Sequence, residues 1–338
     1  MTNKKFKLAA MSLATAVAVS TVGPSASAVT YYLGDGSVTV DKDDTRGAYS
    51  YQGEDGSEEH RTYVNEDEAD HGVINVKGGN APTEDVLPST DNSDNGTEET
   101  TPTDTTTDSS GNNAENSPTA ETTTGNTITV KEDVKDATIV VEGVNVDTST
   151  QTEVPVDAKE DKTIIKVGEG AKVDLTVKDS NLTTGGNGID IGVNLKGEDE
   201  NKGANVDLTL DNTKVNLTQN GKAGINVQDN SDVNLTLKGE NAIDGSKAIE
   251  NEDLKKNVNV EGIRVGGGGA GDGSGASEGA KTHLTISGGV EKTETAEADT
   301  EETESPAGGS LTISKTTGGL VMADGSDVEI TDGADVTI

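Results

Sequence analysis

The chain has 338 residues, with 62 Asp or Glu against 26 Lys or Arg, a formal net charge of −36. It is 30% hydrophobic and has no cysteine. That excludes a disulfide scaffold, a Cys-ligated zinc site and an iron–sulfur centre, and the charge repels nucleic acid and anionic membranes.

Residues 1–28 read as an export signal. Lys4, Lys5 and Lys7 precede an apolar run from Leu8 to Val19, and Ala26-Ser27-Ala28 forms a small-residue cleavage site. The apolar run is too short to span a bilayer, and no longer one occurs later in the chain. The expected mature chain starts at Val29, is secreted or displayed at the cell surface, and has no transmembrane segment.

Residues 29–80 hold all five tyrosines, and no Phe, Tyr or Trp follows Tyr63. Two β-type runs, Tyr31 to Val40 and Gly72 to Val76, predict a small strand-bearing segment that caps the remainder of the fold. Residues 81–125 contain 13 Thr, four of the seven Pro and ten acids, with no Lys or Arg. Such a stretch cannot repay the entropy of ordering and is expected to be a disordered linker. A second acidic stretch, 290–308, is expected to be a loop extruded from the repeats.

From residue 126 to 338 short alternating runs recur. Val173-Asp174-Leu175-Thr176-Val177, Val206-Asp207-Leu208-Thr209-Leu210 and Val233-Asn234-Leu235-Thr236-Leu237 open three copies of a repeat. Middle runs at Asn181, Val215 and Asn241 come next. Closing runs are Gly188-Ile189-Asp190-Ile191, Gly224-Ile225-Asn226-Val227 and Ala248-Ile249. Three short strands per repeat, each apolar on alternate residues and separated by Gly, Asn or Asp turns, cannot bury themselves singly. Stacked, they bury a continuous column of Val, Ile and Leu. The fold class predicted is all-β: a right-handed parallel β-helix of the pectin-lyase-like kind. Roughly eight turns at ~4.8 Å each give a rod about 40 Å long. The competing β-sandwich needs longer strands and fewer glycines in its turns. The pattern still runs at Ile338, so the solenoid is expected to be open at its C-terminal end, within a longer natural protein.

The runs Leu208 to Asn212, Gly224 to Val227, Leu235 to Asn241, Gly262 to Gly269 and Leu284 to Gly289 resemble a β-solenoid family of large surface proteins of Gram-positive gut bacteria, the carbohydrate-binding-domain type. The resemblance spans roughly 163–338. Its motifs, G-I-x-G-G-G and L-T-I-S-G-G, are turns and strands, and they imply fold and location more than activity. Arg264 departs from it, standing where the family has a small residue.

Chemical signals are sparse. Gly185 to Val193 matches the calcium nonapeptide G-G-x-G-x-D-x-U-x, which makes Asp190 a candidate calcium ligand. One copy supplies half a site, and the same glycines fit a β-helix corner. Arg264 is the only Arg after residue 61 and His283 the only His after residue 71. Neither has acids at a spacing that marks a lyase. The N-x-T triplets at Asn181, Asn216 and Asn234, and the threonines Thr176, Thr209 and Thr236, read as strand chemistry. Sugar sites favour an aromatic platform. Tyr31, Tyr32, Tyr49, Tyr51 and Tyr63 are the candidates, and Tyr49 and Tyr51 would share a strand face. The alternative is that they cap the open core. The functional expectation is an exported, non-catalytic adhesive or carbohydrate-binding stalk meeting glycans or cell-surface proteins. The alternative is a polysaccharide lyase or glycoside hydrolase on the same fold.

Overall fold

A computed structural model of the protein describes residues 29–42, 49–52, 58–64, 73–81, 123–149, 162–195, 202–250, 259–267, 279–289, 308–331 and 333–338, with the strand backbone alone at 49–52, 58–60 and 63–64. The segment read as an export signal, nearly all of the linker read at 81–125 and all but the last residue of the acidic insert at 290–308 lie outside the described residues.

Strands succeed one another in threes. The first strands are β1 (Val29–Tyr32), β2 (Ser37–Lys42), β3 (Tyr49–Gln52), β4 (Glu58–Val64), β5 (Val73–Lys77) and β6 (Ile128–Val130). Successive turns then comprise β7 (Ala137–Glu142), β8 (Asn145–Asp147) and β9 (Ile165–Gly168); β10 (Lys172–Lys178), β11 (Asn181–Thr184) and β12 (Ile189–Val193); and β13 (Asn205–Asp211), β14 (Lys214–Leu217) and β15 (Lys222–Val227). They continue as β16 (Asp232–Lys238), β17 (Glu240–Asp244) and β18 (Val260–Val265); β19 (Thr282–Ser287), β20 (Ser310–Ser314) and β21 (Gly318–Met322); and finally β22 (Ser326–Thr331) and β23 (Asp335–Thr337).

The first strand of each turn joins an eight-stranded sheet, β1-β5-β7-β10-β13-β16-β19-β22. The second joins a six-stranded sheet, β8-β11-β14-β17-β20-β23, and the third a nine-stranded sheet, β3-β4-β2-β6-β9-β12-β15-β18-β21. Every pairing between described strands is parallel except β3 with β4. This is a parallel β-helix.

In the first sheet the repeats stack without slip. Leu175 lies against Leu208, Leu208 against Leu235 and Leu235 against Ile286. All four are buried, with Val173, Val206, Val233 and Leu284 in a parallel column beside them. Each buried Val or Leu contributes about 1.5–3 kcal/mol. Between the first and second sheets the chain turns through a left-handed residue on each turn: Gly143, Asp179, Asn212, Gly239. Gly, Asn and Asp are the residues that take this conformation readily, which is why the turns carry them.

The coil starts before residue 126. Strand β5 pairs with β7, setting Ile74 on Ile139 and Val76 on Val141, and β2 pairs with β6. The segment at 29–80 is thus woven into the first turns. Among the described residues the first sheet has six strands from β7 to β22, against the eight turns expected. Thr124 retains a single bridge to Val146 in the second sheet.

Ala248-Ile249 is not the third strand of its copy. It lies in a short helix, α1 (Ser246–Glu250). Asp244 Oδ1 accepts from the Ser246 amide at 2.9 Å and Oδ2 from its hydroxyl at 3.1 Å, a helix-capping arrangement. The third strand is β18, whose Gly262-Ile263 repeats Gly224-Ile225.

The glycine of each G-I pair has a steric origin. A Cβ on Gly224 would sit 2.5 Å from Ile243 Cγ2 and 2.8 Å from the Gly262 carbonyl oxygen; one on Gly262 would sit 2.4 Å from Ile313 Cγ2. The side chains of the second sheet press on the start of the third. At the far end, Met322, Ile330 and Ile338 are exposed.

Gly224→Ala is expected to cost about 1–3 kcal/mol by overpacking. Combined with Ile243→Ala, it is expected to cost clearly less than the sum of the two single changes, measured as midpoints of urea unfolding. An additive result would show that the two do not meet.

Candidate functional site

Polar residues that leave the core stack in register on the outside, so the sheets present rows of polar side chains. On the first sheet one row runs Thr138, Asp174, Asp207, Asn234, Thr285 and Glu329. Asn234 Nδ2 donates to Asp207 Oδ1 at 2.7 Å. Partial desolvation, and then the Asp207 carboxylate one turn away, hold the Asp174 carboxyl above its ordinary value. A neighbouring row alternates in sign: Lys77, Glu142, Lys178, Asp211, Lys238. Lys178 Nζ lies 3.2 Å from Glu142 Oε1, and that carboxylate holds the ammonium above its ordinary value. At the upper end His283 Nδ1 lies 3.2 Å from Asp327 Oδ2.

The outer row of the third sheet holds two residues singled out in the sequence. Asp190 aligns with Asn226, and Asn226 with Arg264. Asp190 is 5% exposed. Its Oδ2 accepts from Asn187 Nδ2 at 2.8 Å, and its Oδ1 from Asn226 Nδ2 and Gln228 Nε2, both at 2.9 Å. A calcium nonapeptide site needs oxygen ligands from the adjoining turn; the adjoining turn here offers amide donors instead. No group of three or more His, Cys, Asp or Glu among the described residues is arranged to hold a metal. Arg264 Nη1 meets both oxygens of Glu261, at 3.2 and 3.3 Å. Asn226, Gln228 and Glu261 escaped the sequence reading. A signal existed for Asn226: it is the x of G-I-x-V, the position that Asp190 and Arg264 occupy in the neighbouring copies.

The tyrosines divide. Tyr31 is 6% exposed and belongs to the core. It extends the inner column of Val76 and Val141, and burial raises its phenol pKa, with the Thr62 side chain partly offsetting. It is therefore closed to a ligand. Tyr32 is half-buried. Tyr49 pairs opposite Arg61 and Tyr51 opposite Glu59 in the antiparallel β3–β4 ladder, while Tyr63 pairs with Asp41. These three sit in the strands that extend the third sheet beyond β2.

The second sheet carries a notch of about 430 Å³ between Lys214, Glu240, Ala242 and Thr312. No helix among the described residues is long and apolar enough to cross a membrane. Compared with known proteins, the chain matches no family description, no curated protein and no solved structure.

Asp174 yields a pH test. Its pKa is raised on folding, so the folded state holds that proton more tightly than the unfolded one. Stability then falls as pH rises from the ordinary value of 3.8 through the raised one. Asp174→Asn is expected to raise the thermal midpoint at neutral pH and to lose that advantage below the ordinary carboxylate range. An unchanged midpoint at both pH values would refute the raised carboxyl pKa of Asp174 in the folded state.

Proposed function

We propose that this chain is an exported, non-catalytic module of a bacterial cell surface or of secreted material, acting as an adhesive or carbohydrate-binding stalk. The observation that carries this reading is the stacking of hydrogen-bonding side chains into straight rows along the outside of the coil. Rows of hydroxyls, amides and carboxylates repeating every ~4.8 Å suit a polymer whose own polar groups repeat. The export signal at 1–28 and the motif resemblance to surface solenoids support the same location. The parallel coil spaces its ends apart without a thick core, as a stalk requires.

A polysaccharide lyase or glycoside hydrolase is the second reading, favoured by the alignment of Arg264 with Asn226 and Asp190. Two observations weigh against it. A guanidinium stays protonated throughout the accessible pH range, and this one is gripped by both Glu261 oxygens. The Asp190 oxygens are likewise engaged by three amides, an arrangement that fixes the side chain in place.

The two readings separate in one assay. The mature chain, incubated with a panel of neutral and acidic polysaccharides, is expected to be retained on one or more of them and to leave their chain lengths unchanged. Depolymerisation above a heat-treated control, abolished by Arg264→Ala, would overturn the stalk reading in favour of the enzyme.

A further inference from the structure

The notch on the second sheet originates in one residue. The outward row there runs Asn145, Asn181, Lys214, Ala242 and Thr312. Its lower members are spent: Asn181 Nδ2 donates to Asn145 Oδ1 at 3.0 Å, and Asn181 Oδ1 accepts from Nδ2 of Asn216, two residues beyond Lys214 on the next strand, at 2.9 Å. The amide ladder stops at Lys214. The next turn offers only the methyl of Ala242, so the surface drops between Lys214 below and Thr312 above.

The floor of this depression is fixed. Asn241 beneath it is buried, and its Nδ2 donates to the carbonyls of Lys238 at 3.0 Å and Ser310 at 3.1 Å. Its Oδ1 accepts from the Thr213 amide at 2.9 Å. The walls are different. Lys214 and Glu240 form no ion pair with any described residue, and with Ser310 and Thr312 they line the same space. The floor needs no ordering on binding, whereas the exposed Lys214 and Glu240 side chains give up rotamer freedom when they engage a ligand.

We infer that this notch is a saccharide subsite, which takes a neutral sugar unit of a glycan with a ring face on the Ala242 methyl and neighbouring hydroxyls shared between Lys214 and Glu240. The inference rests on the carbohydrate-binding reading of the coil and gives it a location. A volume of about 430 Å³ is in the range of small-molecule sites. A sugar hydroxyl both donates and accepts, which suits an ammonium beside a carboxylate. The chain's net charge of −36, with Glu240 at the rim, selects a neutral ring over an acidic one. With no aromatic in the notch, affinity comes from hydrogen bonds and is weak, so many contacts along a polymer must add up.

The test uses the whole mature chain, labelled with ¹⁵N, titrated with cellobiose, chitobiose and maltose, and with digalacturonate as the acidic comparison. At least one neutral disaccharide is expected to move the amide resonances of Lys214, Ala242 and Thr312. Ala242→Arg fills the notch from an outward position and is expected to weaken that binding about tenfold or more with an unchanged thermal midpoint. Glu240→Gln is expected to weaken it less. If a disaccharide binds and Ala242→Arg leaves its affinity unaltered, the notch is refuted while the carbohydrate-binding reading stands. Tighter binding of digalacturonate than of any neutral sugar refutes the neutral class. If no saccharide, mono- or polymeric, binds either protein, both the notch and the carbohydrate-binding reading fail.

Discussion

A single turn of this chain has too little apolar surface to fold alone, and it hides what it has only beneath the next turn. Every backbone amide and carbonyl of a strand must likewise find its partner one turn up or down. Both demands are met by one geometry, parallel strands stacked turn on turn in register, and the rest of the molecule depends on it. Leu175, Leu208, Leu235 and Ile286 form a column because their turns are in step. The same register sets Lys178 beside Glu142 and forces Asp174 toward Asp207. The outer face accepts either a favourable or an unfavourable neighbour; the inner columns decide.

This explains what could be read from the sequence. Period-two runs such as Val173 to Val177 mark strands directly, and three strands separated by Gly, Asn and Asp mark the coil. The order of the three sheets and the left-handed corners follow from the same pattern. Ala248-Ile249 misled because two apolar residues do not distinguish a strand from a helix, and the Asp244 cap that decides it is a local hydrogen-bond geometry. The first turns were hidden for another reason. Residues 82–122 separate β5 from β6, breaking the period that would have tied the tyrosine segment to its neighbours.

The outer sites were less legible. Asp190, Asn226 and Arg264 meet across 74 residues of chain, with corner insertions of unequal length between them. Only an alignment of turn on turn brings them together. The pairing of Arg264 with Glu261 and the amide donors around Asp190 depend on side-chain rotamers, which no spacing encodes. The Ala242 notch is an absence, a short side chain among longer ones, visible only once its neighbours above and below are known.

The confinement of tyrosine to one end has an optical consequence. Phe6 aside, all side-chain near-ultraviolet absorption and intrinsic fluorescence arise from residues 31–63, with Tyr31 sealed in the core there. The remaining turns are silent at those wavelengths and visible only through the peptide bond. A single unlabelled sample therefore carries two separable reporters, one for the beginning of the coil and one for its whole length. The gap between their melting curves measures whether the coil comes apart from that end or all at once.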